Sequence, residues 1–269
     1  MGRGKIEKER DTSMNKPGLR ERLKNGETVL GTWNNIPSAS LVNAICSSGI
    51  DFVVIDSEHG PTGMERAEDL VRACESAQVS PLIRVPANSP QLILKALDIG
   101  AEGVHVPHVS TKEDALSVVK ASKYYPQGDR GYSPFTKAGR YGLDAKDHAS
   151  RSNERTAVVV HIEGKEGIKN LKDIVGVPGV DVIFIGPYDL SQSLGKPGMI
   201  DDPQVIETVK RSAKLIRSKG KVCGSFASNE KYLGMLIDCG VKYLTYKVDS
   251  AFIAETYRKA CTDLKRKIR

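Results

Sequence analysis

Two carboxylates, Glu163 and Asp189, each follow a short apolar stretch that has the length of a β-strand. If these stretches are neighbouring strands of one sheet, the two carboxylates can converge at its edge. Paired carboxylates suit a hard cation of the magnesium or manganese type, completed by water and substrate oxygens. A surface ion pair of Glu163 with Lys165, with Asp189 capping a helix, is the alternative that spacing leaves open.

A second group of polar residues follows two earlier apolar stretches. The segment Asp56-Ser57-Glu58-His59 places carboxylates close to an imidazole, so that Asp56 or Glu58 could orient His59 as a general base. Arg84 ends the next apolar stretch, and a buried guanidinium needs an anion, which could be Asp56, Glu58 or a substrate carboxylate or enolate. A solvated His59 and a purely structural ion pair of Arg84 are the alternatives.

Two further residues have less specific surroundings. His161 lies two residues before Glu163, so both side chains point to the same face of a strand. It could contact a metal or a substrate, or it could be a core histidine. Arg130, in the glycine-flanked turn at 128–131, could bind an anionic substrate or lie in a surface turn.

Short, β-branched apolar segments alternate with amphipathic segments along the chain, which is typical of strands covered on both faces. The predicted strands are residues 28–33, 52–56, 81–85, 103–107, 157–163, 181–186, 221–226 and 243–249. The predicted helices are residues 38–48, 63–77, 89–99, 112–123, 167–175, 204–218, 229–239 and 250–264. Residues 125–156 form the longest irregular stretch.

Eight such pairs predict an α/β fold of the (β/α)₈ TIM-barrel type over residues 18–269, after a polar tail at 1–17. An open doubly wound sheet is the alternative, but no glycine-rich phosphate turn follows the first strand. Barrel enzymes carry their chemistry at the C-terminal ends of the strands, where the polar residues described above fall. The sequence therefore predicts an active site at that end.

The net charge of +7 originates at the two ends of the chain. Residues 1–16 contribute +2 and residues 258–269 contribute +5, which leaves residues 17–257 neutral. We therefore expect no nucleic-acid partner. No apolar run approaches the roughly 18 residues that span a bilayer, and the polar start lacks a secretory signal, so we expect a cytoplasmic protein without a membrane partner.

Five motifs together resemble the HpcH/HpaI aldolase family of metal-dependent pyruvate aldolases. They are IDSEHGP (55–61), LIRVP (82–86), YYPQGDRGY (124–132), HIEG (161–164) and FIGPYDLS (184–191). The resemblance extends over residues 18–262. It implies a TIM barrel whose C-terminal helix is exchanged between subunits, and a homo-oligomer, namely a hexamer built from dimers.

The resemblance also implies roles for single residues. Glu163 and Asp189 match the ligands of a divalent metal, which would be Mg²⁺ or Mn²⁺ and possibly Co²⁺. Arg84 matches an arginine that steadies the keto oxygen of pyruvate and its enolate. Asp56 and His59 match a dyad used for proton transfer.

Other positions match the wall of the site or depart from the family pattern. Asp98 matches an aspartate thought to reach a neighbouring subunit's site. The segment from Gly186 to Asp189 would hold the substrate carboxylate through the amides of Tyr188 and Asp189. His161 stands where glutamine is expected, Lys247 where glycine is usual, and Tyr188 replaces a small residue.

The activity implied is a lyase reaction, the reversible cleavage of a 4-hydroxy-2-oxo acid to pyruvate and an aldehyde through a metal-stabilised enolate. The three departures near the site leave alternatives open. One is a decarboxylase or a carbon–carbon-forming synthase that acts on oxaloacetate-like substrates. Another is a non-catalytic barrel that binds a small acid. A Schiff base on Lys247 is a further mechanism to exclude.

Overall fold

Eight parallel strands pair in chain order, and the last pairs with the first to close a barrel. The structure is a computed structural model that describes residues 17–268, so the predicted polar tail lies almost wholly outside the described residues. Parallel neighbours need a crossover connection, and helices on the outside of the barrel provide it. The predicted (β/α)₈ barrel is confirmed.

All eight predicted strands occur, each within one residue of the predicted bounds. The strands are β1 (Val29–Asn34), β2 (Phe52–Asp56), β3 (Ser80–Arg84), β4 (Gly103–Val106), β5 (Ala157–Ile162), β6 (Val182–Ile185), β7 (Val222–Ala227) and β8 (Tyr243–Val248). Side chains alternate along a strand, so Val53 and Ile55 of β2 face the helices while Phe52 and Val54 face the barrel interior. Burial on both faces explains why the strands are apolar throughout.

The helices include several that the sequence pattern did not predict. They are α1 (Leu19–Lys24), α2 (Ala39–Cys46), α3 (Met64–Ser76), α4 (Pro90–Asp98), α5 (Lys112–Ser122), α6 (His148–Arg155), α7 (Lys165–Lys169), α8 (Leu171–Val175), α9 (Pro187–Ser193), α10 (Pro203–Ser218), α11 (Glu230–Asp238) and α12 (Asp249–Ile268). The expected helix at 167–175 is two helices, α7 and α8. The stretch 125–156 contains α6 and a 3₁₀ turn at Arg140–Gly142, so it is only partly irregular.

Local signals determine where two of the predicted helices begin. Ser38 precedes α2, and its hydroxyl accepts the backbone N–H of Leu41 at 3.3 Å. Asn229 caps α11 in the same way by accepting the N–H of Tyr232 at 2.9 Å. These side chains satisfy backbone donors that have no partner within the helix.

The last helix, α12, lies apart from the barrel core, because Asp249 is its only buried residue. Ile253, Tyr257, Leu264 and Ile268 recur along one face of α12 at helical spacing, and the last three are exposed. Within residues 17–268, no helix is long and apolar enough to cross a membrane.

Candidate active site

A cavity of about 250 Å³ lies at the C-terminal ends of the strands. Its wall is formed by Trp33, Asn35, Asp56, His59, Arg84, His161, Glu163, Phe184, Gly186, Pro187, Tyr188, Asp189, Phe226 and Val248. The residues come from both halves of the barrel, so only the closed sheet brings them together. Eight of the predicted site residues line this cavity, and three do not.

Arg84, the last residue of β3, is held by a buried carboxylate. Its Nε donates to Asp56 Oδ1 at 2.9 Å and its Nη2 donates to Asp56 Oδ2 at 2.5 Å, which is a two-pronged contact. Its Nη1 lies 3.0 Å from Glu58 Oε2, and the guanidinium stacks on the ring of Trp33 at 4.4 Å. Two of five N–H groups are used by Asp56, so others remain for the cavity.

Asp56 also shapes the turn that carries His59. Its Oδ1 accepts the backbone N–H groups of Glu58 at 3.0 Å and of His59 at 3.2 Å. Asp56 thus contacts His59 through the backbone, and the exposed imidazole stands at the mouth of the cavity. Burial raises the pKa of Asp56, but the hydrogen bonds and charge of Arg84 outweigh it and lower the pKa below its ordinary value.

The Asp56–Arg84 pair makes a pH-dependent contribution to stability. Because the pKa of Asp56 is lowered, its contribution is complete above the ordinary carboxyl range, near pH 4, and is lost as pH falls through the lowered pKa. Asp56→Asn should lower the free energy of unfolding by about 3–5 kcal/mol at pH 7, because a buried guanidinium loses the carboxylate that binds it in two prongs and keeps only its contact with Glu58. Chemical denaturation from pH 7 to pH 2 measures this difference.

The matched control is Asp69→Asn, because Asp69 pairs with Arg66 at 3.0 Å on the exposed face of α3. This substitution should cost less than about 1 kcal/mol at any pH. Equal losses for both variants, or a loss for Asp56→Asn that does not shrink in acid, would contradict the buried-pair interpretation.

Glu163, directly after β5, is enclosed by two histidines. Its Oε1 accepts the backbone N–H of His108 at 2.7 Å and lies 3.0 Å from His108 Nδ1, while Oε2 lies 3.5 Å from His161 Nδ1. Burial raises the pKa of Glu163, but His161 and the N–H of His108 outweigh it and lower the pKa to about 2. The carboxylate is therefore ionised at neutral pH, and its partners are histidines rather than the alternative, Lys165.

Gly186 leaves room for the carboxylate of Glu163. A Cβ added to Gly186 would lie 3.0 Å from Glu163 Oε2, which is tighter than side chains normally allow. Gly186 is also the N-cap of α9, so Asp189, in the first turn of that helix, is not the capping residue. Asp189 and Glu163 line the same cavity. Beside them, the half-exposed ring of Tyr188 lies 5.7 Å from that of Phe226 and forms part of the wall.

Arg130, Asp98 and Lys247 do not line the cavity. Arg130 is buried, donates to Asp98 Oδ1 at 2.6 Å and stacks on Tyr124, so the predicted contact of Arg130 with substrate is not formed within one chain. Lys247 points to α12 and pairs with Glu255. A Schiff base on Lys247 therefore finds no support. Lys247 has a φ of +56°, a backbone conformation that glycine adopts without steric cost.

Trp33, Glu58 and His108 contact the predicted site residues Arg84 and Glu163, although Trp33 and His108 were not predicted from the sequence. His108 bridges two carboxylates, since its Nε2 lies 3.4 Å from Glu58 Oε1 and its Nδ1 contacts Glu163. It has a φ of +56°, a conformation that non-glycine residues adopt mainly at constrained positions. No short-range spacing reveals these contacts, because Glu58, His108 and Glu163 follow three different strands.

Comparison with known proteins adds independent information. The family model described as HpcH/HpaI aldolase/citrate lyase matches residues 30–254. The hydroxypyruvate/pyruvate aldolase of Roseobacter denitrificans is 32% identical over 240 residues, which are 88% of this chain and 93% of that protein. The 2-keto-3-deoxy-L-rhamnonate aldolase of Escherichia coli K12 is 32% identical over 238 residues, 88% of this chain and 89% of that protein.

A solved structure of a citrate synthase, SbnG, is also similar. It superposes with a TM-score of 0.85 and 35% sequence identity, and covers 93% of this chain and 98% of its own. The chain is thus similar both to proteins named as aldolases and to one named as a citrate synthase.

Proposed function

The chain belongs to the HpcH/HpaI aldolase/citrate lyase family and is an aldolase, and we propose that it reversibly cleaves a 4-hydroxy-2-oxo acid to pyruvate and an aldehyde. The observation that carries this proposal is that Glu163, Asp189, Arg84 and His59 all line the same cavity. Two similar aldolases are named for hydroxypyruvate, pyruvate and 2-keto-3-deoxy-L-rhamnonate, so a 2-oxo acid is the substrate class we infer.

Glu163 and Asp189 are the residues that would hold a divalent cation. Both are oxygen donors, and the low pKa of Glu163 keeps it ionised, which fits Mg²⁺ or Mn²⁺. Among the described residues, no group of three or more His, Cys, Asp or Glu side chains is arranged so that it could hold a metal ion by itself. A site of two carboxylates leaves room for water and substrate. When bound, such a cation would polarise the 2-oxo group as a Lewis acid.

Arg84 is the residue we assign to the developing negative charge. Cleavage of the C3–C4 bond leaves an electron pair that is shared between C3 and the 2-oxo oxygen as an enolate. Asp56 and Trp33 hold the guanidinium rigidly, so its remaining N–H groups are fixed before the charge develops. The amides of Tyr188 and Asp189, in the first turn of α9, would bind the substrate carboxylate.

We assign proton transfer to His59. Its removal should therefore slow the cleavage step without weakening the binding of pyruvate. It would take the 4-hydroxyl proton, directly or through one water, as the aldehyde forms. His59→Ala should therefore lower kcat for cleavage by about 10²–10⁴-fold and leave pyruvate affinity unchanged. Steady-state kinetics and isothermal titration with pyruvate measure the two quantities. Unchanged cleavage kinetics would remove His59 from the mechanism.

The proposed activity is tested by identifying both products. A panel of 4-hydroxy-2-oxo acids is incubated with Mg²⁺ or Mn²⁺, pyruvate is measured with lactate dehydrogenase, and the aldehyde is trapped as a hydrazone. We expect equal amounts of pyruvate and aldehyde.

The similarity to citrate synthase SbnG makes a condensing synthase or decarboxylase the second candidate. Pyruvate formed from oxaloacetate, with no cleavage of any hydroxy acid, would favour that candidate.

We also propose that α12 packs on a neighbouring subunit of a homo-oligomer. Its apolar face is uncovered in the single chain, and Leu30 on the outer side of β1 is also exposed. Helix exchange would cover both surfaces. In such an assembly, Asp98 would be able to reach a neighbouring subunit's site, as the family resemblance implies.

An oligomer held by α12 should dissociate when its apolar face becomes charged. We expect Tyr257→Glu combined with Leu264→Glu to shift the chain to smaller species in sedimentation velocity, because the carboxylates would be buried at the contact. Thr262→Glu, on the opposite face of α12, is the control and should sediment like the wild type. A monomeric wild type, or a double variant with unchanged sedimentation, would refute the exchange.

A further inference from the structure

Three buried polar side chains form a chain across the interior of the barrel beneath Glu163. The hydroxyl of Tyr243 on β8 lies 2.7 Å from His105 Nε2, and His105 Nδ1 lies 2.8 Å from His161 Nε2. All three residues are at most 1% exposed. This hydrogen-bond chain therefore connects β8, β4 and β5, and its last member, His161, lies two residues before Glu163.

Aromatic rings surround this chain and separate it from water. Phe52 stacks on Tyr243 with ring centres 4.3 Å apart, and Phe184 stacks on His161 at 4.8 Å. The ring of Trp33 lies edge-on to both histidines, at 5.3 Å and 6.0 Å. In such surroundings an unsatisfied proton is costly, so the direction of each hydrogen bond follows from counting donors and acceptors.

Tyr243 determines the direction of the chain. Burial raises the pKa of Tyr243 and lowers that of His105, so the phenol keeps its proton and His105 is neutral. Within residues 17–268, the Tyr243 hydroxyl has His105 as its one hydrogen-bond partner, and it must therefore donate to Nε2. A neutral His105 then carries its proton on Nδ1 and donates it to His161 Nε2.

His161 must consequently carry its own proton on Nδ1, since its Nε2 accepts. That Nδ1 is buried, has no hydrogen-bond partner at ordinary distance among the described residues, and lies 3.5 Å from Glu163 Oε2. The stacked ring of Phe184 limits rotation of the imidazole. The N–H of His161 is thus aimed at the carboxylate oxygen opposite the one held by His108.

We propose that Tyr243, His105 and His161 form a one-way hydrogen-bond chain that makes His161 an Nδ1–H donor and so positions Glu163 for a divalent cation. The cation is part of the proposed function, and the inference rests on it in that respect. His161 and its two supporting residues are positioning residues, because they act through Glu163. Partners of metal ligands commonly change metal affinity by about 10–100-fold.

The first experiment requires neither metal nor activity. Long-range ¹H–¹⁵N spectra of the metal-free protein with ¹⁵N-labelled histidine report which ring nitrogen carries the proton. We expect the Nδ1–H form for both His105 and His161. Glu163→Gln should shift the Nδ1 resonance of His161, since it weakens the acceptor. An Nε2–H form of His161, or a resonance that Glu163→Gln does not move, would overturn the proposal.

The second experiment measures the affinity for Mn²⁺ alone by electron paramagnetic resonance. Glutamine can accept from His105 and donate to Glu163, so His161→Gln should retain wild-type affinity within a few-fold, whereas His161→Leu should lose about 10–100-fold. His148→Leu removes a buried histidine that contacts Tyr124 instead, and it is the control that should bind Mn²⁺ normally.

The outcomes separate this proposal from the proposed function. Wild-type affinity in His161→Leu would refute the positioning role. If His161→Leu fails to fold, a loss of Mn²⁺ affinity in His161→Gln would equally refute the positioning role of His161. A wild-type protein that binds no Mn²⁺ would refute the cation site, while the spectra would still decide the direction of the chain and its contact with Glu163.

Discussion

Glu163→Gln is expected to abolish metal-dependent turnover, with a loss of at least about 10³-fold in kcat/KM. Glutamine keeps the size of the side chain and the contact with the His108 N–H, but it removes the negative charge that the cation needs. Of the three carboxylates that line the cavity among the described residues, Asp56 is engaged by Arg84. Glu163 and Asp189 therefore remain to hold the cation, and the loss of one leaves a single charged ligand. Steady-state kinetics over a range of Mg²⁺ and Mn²⁺ concentrations measure the effect.

The matched control is Glu166→Gln, which changes an exposed glutamate three residues further along the chain. It should retain wild-type kinetics and metal dependence. Full activity in Glu163→Gln at low metal concentration would exclude Glu163 as a ligand. Activity restored only at much higher Mn²⁺ concentration would agree with a weakened site.

Arg84→Lys is expected to lower kcat/KM by about 10²–10³-fold, although the positive charge is retained. An ammonium group cannot reproduce the two-pronged contact with Asp56, so its charge is no longer fixed where the enolate oxygen forms. Most of the loss should appear in kcat, because the interaction strengthens as negative charge develops. Arg66→Lys on the exposed face of α3 is the control.

An Arg84→Lys variant with a raised KM and an unchanged kcat would mean that Arg84 only binds substrate. Wild-type kinetics would mean that the Asp56–Arg84 pair is purely structural, which the sequence left open. Thermal unfolding should accompany both measurements, since the substitution also disturbs a buried ion pair.

Much of the fold could be predicted from the sequence, because parallel barrel strands are buried on both faces and their apolar runs are easily delimited. The segment 52–56 is one example, since it is β2 without any change of bounds. The polar residues at the C-terminal ends of the strands were predictable for the same reason. Once the strand ends are known, Asp56, Arg84 and Glu163 must face the same cavity.

The remaining features depend on contacts between distant parts of the chain. Arg130 meets Asp98 because the loop after α5 folds back on α4, and no local pattern encodes that path. The partnership of Tyr243 with His105 joins residues 138 positions apart through the barrel interior. Helix α9 is short and directly follows β6, so it has too few turns for a clear helical period.

We propose that this site forms an enolate of pyruvate with the help of a divalent cation. Exchange of the methyl protons of pyruvate in heavy water, followed by NMR with and without Mg²⁺ or Mn²⁺, tests it most directly, because exchange requires the enolate and no second substrate. We expect rapid exchange with wild-type protein and metal, and none above background with Glu163→Gln. Absence of exchange with every divalent metal tested would contradict it.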